Sequence, residues 1–149
     1  MKIKSFTINH LKLNKGIYIS NKNDDITTLD LRIRTPYKST VLTTVEIHSL
    51  EHLFATTLRS GKHKNCVIYC GPMGCATGFY VLFRNLNDKD MLEYIKISLA
   101  AVIVLSTMPG DNKIECGDNR TLSLEKGKTI AVEYLQLIKD KLEFDSYPV

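Results

Sequence analysis

No stretch of this chain is apolar enough to cross a bilayer. The most apolar run, Ile97 to Leu105, falls far short of the roughly 20 residues a spanning helix needs. The start, Met1 to His10, lacks the apolar core and small-residue cleavage site of an export signal. These absences argue against a membrane partner and lead us to expect a cytoplasmic protein. The chain also lacks internal repeats, low-complexity blocks and linkers, so its 149 residues are expected to form a single domain spanning 1–149. The net charge of +4 is modest, and its lysines and arginines are scattered without interleaved aromatics. That pattern reads as a solvated surface rather than a nucleic-acid face.

Cysteine is scarce but unevenly placed: Cys66, Cys70, Cys75 and Cys116. Without an export signal, disulfides are disfavoured and reactive or metal-bound thiols gain weight. Cys66 and Cys70 sit in an apolar run and read as small buried hydrophobes. Cys75 and Cys116 have glycine neighbours and a different character.

Alternating polar and apolar residues predict strands at Lys2–Asn9, Ile17–Ser20 and Leu29–Arg34, with a polar turn at Asn21–Asp25. In the third, Leu29, Leu31 and Ile33 share one face, and Asp30, Arg32 and Arg34 the other. Thr43-Thr44 caps a predicted helix reaching about Arg59. Two strands follow, Cys66–Cys70 and Phe79–Arg84, joined by a loop at Gly71–Gly74. Asp88–Ser106 has helical periodicity, although Val102-Ile103-Val104 also suits a local strand. Leu124–Leu142 is a last helix. Strands and helices do not alternate regularly, which favours an α+β domain with helices on one face of an antiparallel sheet.

The segment His48-Ser49-Leu50-Glu51-His52 carries the most chemistry. Residues four apart on a helix share a face, so both imidazoles can address one metal ion. Glu51 lies beside that face, positioned to act as a base. The apolar stripe Leu50, Leu53, Phe54 and Leu58 occupies another side. A catalytic metal usually has three protein ligands and one open position. The third ligand is open on this reading: His10, His63, the other cysteines and many carboxylates qualify. Cys116 is attractive because it follows a turn, with Gly117 allowing the backbone to bend. Such a set suits zinc or ferrous iron. Inverted zinc peptidases share the His-x-x-Glu-His spacing, but their catalytic domains are larger than this whole chain.

The sequence resembles the S-ribosylhomocysteine lyase (LuxS) family in five blocks spread over most of the chain. Ser5-Phe6-Thr7-Ile8-Asn9-His10 is similar to its Ser-Phe-x-x-Asp-His. Leu29-Asp30-Leu31-Arg32 is similar to its Phe-Asp-x-Arg, and His48-Ser49-Leu50-Glu51-His52-Leu53 to its His-Thr-Leu-Glu-His-Leu. Pro72-Met73-Gly74-Cys75-Ala76-Thr77-Gly78-Phe79-Tyr80 matches its Pro-Met-Gly-Cys-x-Thr-Gly-aromatic-Tyr block. Cys116-Gly117 fits its Cys-Gly motif.

The resemblance implies a homodimer built on a four-stranded antiparallel sheet, with two active sites at the subunit interface. It implies that His48, His52 and Cys116 bind one divalent metal per subunit: ferrous iron, replaceable by zinc or cobalt. Glu51 and Cys75 would be the acid–base residues. Ser5, His10 and Arg32 would line the substrate pocket, Ser5 and His10 coming from the partner. The implied reaction walks a carbonyl along the ribose of S-ribosylhomocysteine by proton transfers. A β-elimination then releases homocysteine and 4,5-dihydroxy-2,3-pentanedione, an autoinducer precursor used in quorum sensing. Four positions depart from the family pattern. Tyr69 stands where an aspartate is usual, Gly71 for serine, Arg34 for cysteine and Leu122 for histidine. If Tyr69 and Arg34 both reached the pocket, a related, more anionic sugar substrate for an isomerase or hydrolase would follow. A non-catalytic metal- or ligand-binding protein is the alternative of a different class; the presence of both Glu51 and Cys75 argues against it.

Overall fold

A computed structural model describes residues Met1 to Val149. Four strands form one antiparallel sheet: β1 (Gly16–Asn23), β2 (Ile26–Arg32), β3 (Val67–Pro72) and β4 (Gly78–Arg84), in the order β1-β2-β4-β3. Three helices, α1 (Thr44–Leu58), α2 (Asp88–Ile103) and α3 (Leu124–Ile138), complete an α+β domain. The expected class and four-stranded sheet are therefore present.

Each helix starts where its sequence supplies a cap. The Thr43 hydroxyl accepts from Glu46 N–H, while the Glu46 side chain accepts from Thr43 N–H, a reciprocal capping box. Asn87 and Ser123 cap α2 and α3 in the simpler way. Period-two alternation then sorts the sheet. Ile17, Leu29, Leu31, Cys70, Phe79, Val81 and Phe83 face the helices and join one core with Leu50, Leu53, Phe54, Leu99, Ile130 and Tyr134. The opposite face carries Tyr18, Asp30 and Tyr80 in register, with Thr28, Leu82 and Tyr69 as the next row. No helix covers that face, and none in the chain is long and apolar enough to cross a membrane.

Several local expectations need correction. Lys2–Asn9 is not a strand: Lys4–Thr7 is a 3-10 turn, closed by the Thr7 hydroxyl donating to Lys4 C=O at 2.7 Å. It has no strand neighbour, and Ile3 and Phe6 stay exposed. The turn expected at Asn21–Asp25 is narrower, because β1 continues to Asn23 past an irregularity at Ser20. Asp24, at φ +54°, makes the reversal. Gly71 and Pro72 belong to β3, so the connection is Met73–Thr77. Val102-Ile103 remains helical, and α3 ends at Ile138 rather than Leu142.

The polar face of β2 departs furthest from expectation. Asp30 is 1% exposed and Arg32 2% exposed, although neither points into the apolar core. The strand also stops at Arg32. Ile33 N–H and Arg34 N–H both donate to Thr77 C=O, at 2.9 Å each, which breaks the alternation. Arg34 consequently turns to Glu133 on α3, at 2.7 Å, and does not extend the Arg32 row.

Candidate metal centre and thiol pocket

The capping box fixes where α1 begins, and therefore which side its histidines occupy. His48 and His52 stand one turn apart with ring centroids 4.7 Å from each other and planes at 82°. A ligand atom from each of His48, His52 and Cys116 lies within 4.8 Å of the other two. The Cys116 sulfur is 3.4 Å from His48 Nε2. A tetrahedral ion with nitrogen and thiolate ligands separates its donor atoms by roughly 3.3–3.6 Å, and the Cys116–His48 spacing falls in that range.

The outer nitrogens of both rings are already engaged. His48 Nδ1 meets the Thr121 hydroxyl at 2.7 Å, and His52 Nδ1 meets Pro109 C=O at 2.9 Å. As donors on that side, both rings must leave Nε2 as the free lone pair, directed at the centre. Thr121 can accept from His48 because its own hydroxyl donates to Asp118 C=O. Gly110, at φ +68°, brings the Pro109 turn against His52; a Cβ there would lie 3.2 Å from the ring. Cys116 is presented by a loop folded around Asn112. Its side-chain oxygen accepts from Ile114 and Glu115 N–H, while its backbone oxygen accepts from Cys116 N–H. Gly117 does not have the special role expected of it, since nothing crowds it and its φ is ordinary. Arg120 hydrogen bonds pull the exposed Asp118 carboxyl down to about 2.

Glu51 sits half-buried beside His52 on the same helix. It approaches β3: burial, and after it the Glu51 charge, push the core thiol Cys70 up to about 12. Cys70 is thus an inert buried thiol, as its apolar setting suggests.

The second cluster lies at the turn after β3. Ser5, His10, Arg32 and Cys75 line one pocket of about 300 Å³, together with Phe6 and Tyr80. An adjoining pocket also reaches His10 and Cys75. The Cys75 sulfur is 3.0 Å from the Thr77 hydroxyl and 3.9 Å from an Arg32 nitrogen, which also donates to Thr77 at 2.8 Å. The other terminal nitrogen of Arg32 donates to Asp30 at 2.7 Å. Burial opposes the Arg32 charge, but the Asp30 carboxylate outweighs it and holds the guanidinium pKa above its usual value. Ala76, at φ +60°, gives the loop a left-handed turn, and its C=O accepts from Leu42 N–H.

Ser5, His10, Arg32 and Cys75 thus group within one chain, and His48, His52 and Cys116 form a separate group. Neither pocket lined by Cys75 includes a member of the metal trio. Neither pocket includes Tyr69 or Arg34. Tyr69 lies half-exposed across Gly71, where a Cβ would collide with its ring, so these two departures are one feature. Sequence reasoning missed Thr121 and Pro109, which orient the histidines. It also missed Thr77 and Asp30, although both stand inside the quoted motifs.

Comparison with known proteins agrees with this geometry. Residues 3–144 match the family model described as S-ribosylhomocysteinase (LuxS). An S-ribosylhomocysteine lyase from Finegoldia magna is 42% identical, covering 99% of this chain and 98% of the relative. One from Borreliella afzelii is 39% identical with 99% of both chains covered, and one from Clostridium acetobutylicum is 33% identical over 96% and 98%. With its metal trio and thiol pocket both formed from the matching blocks, the chain belongs to the S-ribosylhomocysteinase (LuxS) family.

Proposed function

We propose that this protein is a metal-dependent carbon–sulfur lyase that cleaves S-ribosylhomocysteine to homocysteine and 4,5-dihydroxy-2,3-pentanedione. The observation that carries the reading is the donor set: two imidazoles with Nε2 turned inward, and a cysteine sulfur 3.4 Å from one of them. That set would hold one divalent ion, ferrous iron on our reading, with zinc or cobalt able to replace it. Such an ion supplies Lewis-acid stabilisation of negative charge developing on substrate oxygen.

The remaining work falls to side chains. A thioether leaves poorly unless a carbonyl stands at the right distance, so protons must be moved between neighbouring sugar carbons first. Cys75 is exposed, and its sulfur contacts Arg32 and Thr77. A thiolate there removes a proton from one carbon and returns it to the next, with the guanidinium balancing its charge. Glu51 serves the hydroxyl protons and the final protonation. General acid–base help of this kind is typically worth about 10²–10⁴-fold per group. Ser5 and His10 orient the sugar beside Cys75.

We further propose that the active unit is a homodimer. The uncovered face of the sheet presents Tyr69, Tyr80 and Leu82, and Phe6 and Leu11 protrude nearby in the chain. The metal trio and the thiol pocket share no lining residue in one chain. Pairing two copies would let the thiol pocket of one complete the metal centre of the other. Arg32 and Cys75 would then travel with Ser5 and His10.

The test is thiol release from S-ribosylhomocysteine by the cobalt- or iron-loaded protein. A rate no higher than that of Cys75→Ala would overturn the assignment. Arg34 is tied to Glu133, and neither Arg34 nor Tyr69 is in the pocket, so these two positions give the pocket no added preference for a more anionic substrate.

A further inference from the structure

The last residues of the chain fold back along β1 and over the Tyr18–Asp30 part of the face that no helix covers. Asp145 N–H donates to Ile17 C=O at 2.8 Å, and the Asp145 carboxylate accepts from Ile17 N–H at 2.9 Å. Lys141 holds the other carboxylate oxygen at 2.7 Å. Gly16 makes this approach possible, because a Cβ there would sit 2.5 Å from the Asp145 carboxylate. Two residues on, Tyr147 stacks flat on Tyr18, with centroids 4.6 Å apart and planes within 3°. Its hydroxyl donates to Asp30 Oδ2 at 2.7 Å.

That hydroxyl matters because Asp30 is otherwise poorly held. Both of its hydrogen bonds, from Tyr147 and from Arg32, converge on Oδ2. Asp30 Oδ1 and Arg32 Nε are buried and have no partner. A buried ion pair with unpaired polar atoms depends heavily on the few bonds that remain. Arg32 then reaches Thr77 and the Cys75 sulfur. A continuous path therefore runs from the end of the chain to the reactive thiol.

We propose that the C-terminal segment Phe144–Tyr147 is a strap that positions the thiol pocket, its Tyr147 hydroxyl fixing the Asp30–Arg32 pair so that the guanidinium faces Cys75. This rests on the reading of Cys75 as a proton-transferring thiolate. Tyr147 touches no substrate in this scheme; it is a positioning residue acting through Asp30 and Arg32. Burial, and then the Asp30 charge, push the Tyr147 pKa upward, so the phenol stays protonated and donates throughout the working pH range.

The experiment uses full-length, metal-loaded protein carrying Tyr147→Phe or Tyr147→Ala. The phenylalanine keeps the stack on Tyr18 and removes only the hydroxyl. Iodoacetamide alkylation at neutral pH is followed separately at each cysteine by peptide mass. Alkylation passes through an anionic sulfur, and removing the cation that faces it slows the reaction. We expect Cys75 alkylation to slow at least about threefold and kcat/KM for thiol release to fall roughly tenfold in Tyr147→Phe, with larger effects in Tyr147→Ala. Cys66 and Cys70 should react as in the parent. General loosening of the fold would do the opposite, exposing and speeding those two. Unchanged Cys75 alkylation in the folded phenylalanine variant overturns the proposal, as does faster alkylation at all three sites. If the alanine variant does not fold, the phenylalanine variant decides. If the parent releases no thiol, the proposed reaction fails, but alkylation still reports the path from Tyr147 to Cys75.

Discussion

Two small groups outside the metal trio determine whether its nitrogens face the right way. Thr121 accepts from His48 while donating to Asp118 C=O, and Pro109 C=O accepts from His52. Removing the Thr121 hydroxyl leaves the His48 ring free to rotate or change tautomer. Thr121→Val should therefore weaken metal binding about 10–100-fold, read by competition with a chromogenic chelator, without loss of fold. Cys116→Ala removes a proposed ligand outright and should leave the purified protein with less than about a tenth of its metal, measured by elemental analysis. At this scale the sequence is informative only where residues act through spacing. His48 and His52 are legible because four residues span one helical turn, whereas Cys116 comes from 64 positions after His52 and its assignment rests on the family resemblance. Thr121 and Pro109 have no such signal. Each is one of many polar or turn residues until the fold sets it against a histidine. Tyr147 is hidden for the same reason, since no periodicity connects a chain end to the middle of a strand.

The elements were legible wherever a cap or an apolar stripe marked them. Thr43 and Glu46 announce α1, and the stripe Leu50, Leu53, Phe54 and Leu58 is buried as expected. The strand expected at Lys2–Asn9 failed because alternation alone does not provide a neighbour to pair with. The burial of Asp30 and Arg32 was not legible for a related reason: alternation separates two faces, but not what covers each of them. Close packing between elements is also invisible in sequence. Gly127 lies where α3 crosses α1; a Cβ there would be 2.5 Å from Leu53 and about 3 Å from the Ser49 side chain and backbone. Alanine improves helix propensity by about 1 kcal/mol, but overpacking costs about 1–3 kcal/mol. The Ser49 backbone cannot swing aside as a leucine methyl can, so the second effect should win. Gly127→Ala is expected to lower stability by about 1–2 kcal/mol in urea unfolding. Because Ser49 neighbours His48 on α1, metal affinity should fall as well. A variant as stable as the parent would mean that the two helices separate more easily than their packing suggests.

At the scale of the whole molecule, the proposed homodimer can be tested through the division of the site. If the metal trio of one protomer works with the Cys75 pocket of the other, defects in the two halves can be separated between subunits. His52→Ala spoils the metal half and Cys75→Ala spoils the thiol half, so each homodimer should be inactive. In a mixed dimer, one site receives both defects and the other receives neither. Random exchange makes about half of the dimers mixed, with one working site in two, so about a quarter of parental activity should return. The mixture is prepared by co-expression with two affinity tags, and activity is measured as thiol release. A site contained within one chain predicts no recovery, because every chain in the mixture carries a lesion. The same arrangement predicts the effect of Leu82→Glu on the uncovered face of the sheet, beside Thr28 and Tyr69. A buried, unpaired carboxylate is costly at an apolar interface, so this variant should sediment as a monomer. Its metal content should stay near the parental level, since the trio needs only its own chain, while thiol release falls with the loss of the partner. Loss of the dimer without loss of turnover would place the whole reaction inside a single chain.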